Sequence, residues 1–116
     1  MKNRVLYGLA AVLFFSVVQF NVSDTFAGKI DYKKIFSNNC QKCHGKDGKG
    51  TKRGKGLGVP NFTDGDWQDG TTDKQMITTI TNGKKRMPKQ GHKLSQEEIK
   101  AMVKYIRFFA PKKERH

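Results

Sequence analysis

The sequence predicts an all-α domain of three or four helices joined by long loops, and three observations carry that prediction. Helical periodicity appears near residues 31–42 and again near 95–110, with a shorter helical segment between them. Long glycine-rich or polar stretches separate these segments. Strand alternation is absent throughout.

The first 27 residues stand apart. Lys2 and Arg4 form a short positive start, and Val5 to Val18 make an apolar run of 14 residues. A polar stretch then ends in Thr25-Phe26-Ala27, with the small residue an export peptidase accepts. This is the three-part layout of a cleaved secretory signal. The run is shorter than the roughly 20 residues a membrane span needs, with an uncleaved anchor extended through Gln19 and Phe20 as the rival reading. Cleavage leaves residues 28–116 as one domain of 89 residues. A chain of that size buries only about 60–65% of its unfolded surface. It therefore calls for a metal, a crosslink or a large apolar cofactor.

The mature region keeps 21 Lys and Arg against 9 Asp and Glu. Such a charge commonly serves nucleic acid. Export and the lack of a helix that concentrates basic residues argue against that partner. Docking onto an acidic protein is the reading retained, because opposite charge raises encounter rates.

Each element follows from its residues. Asp31 is placed to cap a helix over 31–42 whose Tyr32, Ile35, Phe36 and Cys40 lie near one face. Eight glycines between Gly45 and Gly70 predict a loop, unusually long for a small domain unless it wraps around something bulky. Thr72 and Gln75 form a capping box for a short helix carrying Met76, Ile77 and Ile80, which ends at Asn82-Gly83. The last helix opens on a Ser95/Glu98 capping box with Leu94 and Ile99 as its hydrophobic staple. Ile99, Met102, Val103, Ile106 and Ala110 continue it until Pro111.

The only two cysteines sit in Asn38-Asn39-Cys40-Gln41-Lys42-Cys43-His44, which spells C-x-x-C-H. A redox dithiol, half a zinc site and a covalent haem attachment compete for that pattern. Zinc would need four ligands, and the remaining histidines are only His92 and His116. A redox C-x-x-C usually accompanies a βαβ pattern, which this chain lacks. A disulfide across so small a loop would constrain little. Haem fits the spacing, since residues three or four apart share a helical face. Both thiols then reach one haem edge, and His44 projects from the same face towards the iron.

A second axial ligand is found in Met87, immediately before Pro88 in a polar loop between two helices. Proline stiffens the loop and pushes the preceding residue towards an extended conformation. Met76 and Met102 lie on apolar helical faces and read as core filling, whereas Met87 has polar neighbours. His92 is the rival ligand.

Taken together, "IFSNNCQKCHGKDGKG", "GVPNFTDGDW" and "ITNGKKRMPKQGHKLSQEEIKAMVKYIRFF" resemble, in that order, the segments of single-haem class I c-type cytochromes. The likeness runs from Ile35 to Phe109. It implies a small cytochrome c-like domain whose three or four helices and long loops wrap around one haem c, bound covalently through Cys40 and Cys43. His44 and Met87 would be the axial ligands. It also implies that the Pro60 carbonyl accepts the imidazole N–H of His44, and that the Trp67 indole meets a haem propionate or lines the pocket wall. The first and last helices would cross with Phe36 against Tyr105. One departure is the loop "GKGTKRGKGLG", richer in Gly and Lys than the family pattern, which would leave the haem edge more open.

The function so implied is a one-electron carrier exported to a periplasmic or equivalent compartment. Two basic groups flank the signature and ligand loops: Lys42, Lys46, Lys49, Lys52, Arg53 and Lys55, then Lys84, Lys85, Arg86 and Lys89. They are expected to ring the haem edge and guide acidic redox partners. Two alternatives belong to other classes. One is a haem site binding a small ligand through a labile Met87, as a sensor or catalytic subunit. The other is a basic binding module whose C-x-x-C-H carries no haem.

Overall fold

A computed structural model describes residues 29–113, so the proposed export segment lies outside the described residues. Six helices follow in order: α1 Tyr32–Asn39, α2 Gln41–His44, α3 Lys52–Gly56, α4 Gly65–Gly70, α5 Asp73–Asn82 and α6 Gln96–Phe108. Among these residues the sole pairing of strand type is an isolated bridge between Lys84 and Met87.

The three expected helices are present, with their predicted caps. The Asp31 side chain accepts from the Lys34 N–H. Thr72 with Gln75, and Ser95 with Glu98, form complete capping boxes at α5 and α6. Such caps satisfy the unpaired N–H groups of a first helical turn.

Two local outcomes differ from the sequence reading. The helix expected over 31–42 breaks at Cys40, whose φ of −123° leaves the helical region. Asn39 contributes to the break, because its side-chain amide donates to the Ile35 carbonyl and competes with the backbone ladder. The stretch expected as continuous loop after Gly45 carries α3 and α4, capped by Thr51 and Asp64. Neither has an apolar period, so periodicity could not reveal them; their caps and tertiary contacts hold them.

The core sits where α1, α5 and α6 meet. Phe36, Phe62, Met76, Ile80, Leu94, Ile99, Met102, Val103 and Ile106 are buried together. Phe36 meets Tyr105 edge-on, with ring centroids 5.0 Å apart, so the first and last helices cross at the expected pair. Edge-to-face geometry brings the positive rim of one ring to the negative face of the other. Met76 and Met102 fill the core as their helical spacing predicts.

Candidate haem site

The signature helix α2 is a single turn, and the chain after it folds back to cap its end. The Gly50 N–H donates to the His44 carbonyl at 2.8 Å and the Thr51 N–H to the Cys43 carbonyl at 2.9 Å. The Thr51 hydroxyl donates to the Lys42 carbonyl at 2.8 Å and accepts from the Gly54 N–H. Unpaired carbonyls at the end of α2 are thereby satisfied by the start of α3. Gly54 lies so close to Cys43 that a β-carbon there would overlap its carbonyl.

Cys40 and Cys43 are both free thiols, each partly buried. Burial pushes the Cys40 thiol up to about 11. His44 is buried, and desolvation lowers its basicity. Burial disfavours the charged imidazolium, the form that cannot bind a metal. Its Nδ1 is buried with no hydrogen-bond partner. The ring is packed instead against Phe62, with centroids 4.6 Å apart and planes within 13°. Phe62 in turn lies 5.1 Å from the Trp67 ring. A wall of His44 stacked on Phe62, with Trp67 tilted against Phe62, therefore backs the signature helix.

Pro60 is half-buried in the segment leading to Phe62. The structure draws no hydrogen bond between its carbonyl and the His44 ring, whose Nδ1 is without a partner. Phe62 itself is pinned at both backbone groups, its N–H donating to the Gly48 carbonyl and its carbonyl accepting from Gln68.

Met87 lies in the loop between α5 and α6 and packs against the core margin. Lys84 and Met87 exchange both backbone hydrogen bonds, at 3.1 and 2.9 Å, around a two-residue turn. Lys85 in that turn has a positive φ of 54°, uncommon for a residue with a side chain. Further on, the Gln90 N–H donates to the Ile80 carbonyl, tying the far end of the loop to α5. His92, the rival ligand, is exposed.

The donor set fits a covalent haem: two free thiols three residues apart, a neutral imidazole with an unpartnered nitrogen, and a thioether on a hydrogen-bonded loop. The model for cytochrome c oxidase, cbb3-type, subunit III matches residues 30–106.

The chain belongs to that family of c-type cytochromes.

The cytochrome is 43% identical over 74 residues to the cbb3-type cytochrome c oxidase subunit FixP of Azorhizobium caulinodans, covering 63% of this chain and 24% of that protein. It is 37% identical over 76 residues to subunit CcoP of Rubrivivax gelatinosus, covering 64% and 23%. The cytochrome thus spans about a quarter of the length of the curated relatives it matches. Among solved structures, the KustC0563 c-type cytochrome superposes with a TM-score of 0.68 at 40% identity, over 71% of this chain and all of that one.

Sequence reasoning missed two residues of this cytochrome that shape the site. Gln68 is buried at 5% exposure, and Arg107 reaches it from α6. Glutamine is mostly exposed in folded proteins, so a Gln within the polar run Asp66-Trp67-Gln68-Asp69 carries no signal of burial. The ion pairs among the described residues join Lys100 to Glu97, Arg107 to Asp73 and Lys113 to Asp69. The two basic groups flanking the signature and the Met87 loop take no part in them.

Proposed function

We propose that the cytochrome is an exported one-electron carrier with a single haem c, which Cys40 and Cys43 would bind covalently and whose iron His44 and Met87 would ligate. The observation that carries this reading is the site geometry: a buried His44 directly after two free thiols three residues apart. Haem c supplies the one-electron ferric/ferrous couple. His44 offers an imidazole lone pair and Met87 a thioether, a ligand pair associated with raised reduction potential. With His44 and Met87 both committed to the iron, the site would pass electrons without binding a substrate. Phe62, Trp67 and the Pro60 segment form the wall that keeps water from the His44 side. The unpaired lysines of the two flanking groups guide acidic redox partners.

The test is a set of absorption spectra of the mature protein, oxidised and reduced, with and without carbon monoxide. A low-spin spectrum with the weak long-wavelength ferric band of methionine ligation, unchanged by carbon monoxide, is expected. A prompt shift with carbon monoxide would instead mean an open, ligand-binding iron. A colourless folded protein, made alongside haem-attachment machinery, would overturn haem binding altogether.

A second reading has one specific observation in its favour: the relatives FixP and CcoP are oxidase subunits. On that reading the cytochrome delivers electrons within a larger oxidoreductase. Native mass of the affinity-captured protein from membranes and soluble extract separates the two.

A further inference from the structure

We infer that Thr51 is a positioning residue for the signature turn: its hydroxyl and N–H hold the carbonyls of Lys42 and Cys43, and so fix where Cys43 and His44 stand. The inference rests on the reading of those two residues as a haem attachment site and an axial ligand.

The turn cannot hold itself. α2 has four residues, far below the roughly 12–15 at which an isolated helix becomes even marginal. The Cys43 and His44 N–H groups share one acceptor, the Cys40 carbonyl, at 3.2 and 3.0 Å. The Gly45 N–H closes on the Gln41 carbonyl at 2.9 Å. The carbonyls of Lys42, Cys43 and His44 are then taken by a segment further along the chain. The Gly50 N–H donates to His44 at 2.8 Å. Thr51 serves the other two, its hydroxyl donating to Lys42 at 2.8 Å and its N–H to Cys43 at 2.9 Å.

The same hydroxyl oxygen accepts from the Gly54 N–H at 3.0 Å and so caps α3. A hydroxyl has one proton to give and lone pairs to receive, so the two bonds are compatible. The Cys43 carbonyl lies farther from that hydroxyl, at 3.3 Å, which leaves Lys42 the nearer acceptor. One side chain therefore has two separable roles. As an acceptor it starts α3, and as a donor it ties α3 to the signature turn. Gly54 seats against the Cys43 carbonyl with no room for a side chain, so the joint is close-packed. Thr51 acts on the site through the backbone of Lys42 and Cys43, not by ligation.

The test separates the two roles by substitution. Thr51→Val removes donor and acceptor together. Thr51→Asp keeps an acceptor suited to capping α3 but has no proton to give at neutral pH. Thr51→Ser keeps both. Ser95→Ala removes the corresponding hydroxyl cap from α6 and is the control for lost stability. Two readouts on the holoprotein are the hyperfine-shifted proton resonances of the ferric His44 ring and the exchange of the Cys43, His44 and Gly45 backbone N–H groups in the ferrous state. In Thr51→Val and Thr51→Asp the resonances should move, and exchange through local opening should quicken by about tenfold, as the loss of one hydrogen bond allows. Thr51→Ser should stay near wild type, and Ser95→Ala should leave both readouts unchanged although less stable. A Thr51→Asp protein that matches wild type while Thr51→Val does not would reduce Thr51 to a cap for α3 and overturn the inference. So would variants that move no further than Ser95→Ala. Should either fail to fold, Thr51→Gly, tolerated at a cap and lacking the donor, is read by the same criteria. Absence of hyperfine-shifted imidazole signals from wild type would defeat the ligand reading of His44 itself, which separates the two failures.

Discussion

The carbonyl of Cys43 occupies the space that a side chain on Gly54 would need. This contact joins the signature turn to α3 and lets Thr51 cap the carbonyls of Lys42 and Cys43. Gly54→Ala should push α3 away, since overpacking of this kind costs about 1–3 kcal/mol. The expected outcome is a lower yield of covalently attached haem and a lower thermal midpoint. Haem stain on denaturing gels and a melting curve check both. Gly56→Ala is the comparison: a β-carbon there meets nothing nearby, and both measurements should stay near wild type.

Gly83 ends α5 and starts the Met87 loop at a positive φ of 75°. A β-carbon there would lie 2.6 Å from the Met87 carbonyl oxygen and 2.8 Å from the Lys89 nitrogen. Gly83→Ala therefore combines the cost of a positive-φ, extended-ψ backbone that is essentially glycine-only, about 1–3 kcal/mol, with a clash against the Met87 loop itself. We expect loss of the long-wavelength ferric band and faster carbon monoxide binding to the reduced protein. Flash photolysis gives the rate.

Phe36 is 3% exposed and contacts both Tyr105 and Phe109. Phe36→Ala should cost about 3–5 kcal/mol through lost burial and the cavity left behind. Denaturant titration of the holoprotein should show a lower midpoint with an unchanged slope, the signature of a stability change alone.

The two lysine groups beside the signature and the Met87 loop make no ion pairs among the described residues. If they steer acidic partners, second-order electron transfer should slow as salt rises. The screening length falls from about 10 Å at 0.1 M to about 3 Å at 1 M. Charge reversal at Lys84 and Lys85 should flatten that salt dependence, as stopped-flow rates against an acidic redox protein would report. Rates that do not respond to salt would rule steering out.

The legible parts of this protein are those whose signal is local. C-x-x-C-H needs only five residues in a row, because one helical turn sets the reach of both thiols and the imidazole. The capping boxes at Thr72 and Ser95 are complete within four residues each, and both formed as read. Met87 stood out by contrast with Met76 and Met102, whose apolar spacing already accounted for them.

What only the tertiary structure decided depends on residues far apart in the chain. No window of sequence places Gly54 against Cys43, and a glycine-rich basic stretch does not announce the short helix it forms there. Phe62 stacks on His44 while its own N–H and carbonyl are held by Gly48 and Gln68, a meeting no local pattern announces. Gln68 reaches Ile106 and Arg107 across 38 and 39 residues. The sequence by itself supplied the donor set proposed for haem c, since two thiols, an imidazole and a thioether are matters of residue type and short spacing. The tertiary structure decided what packs around the imidazole, since Phe62, Gln68 and the end of α6 meet only once the helices have packed.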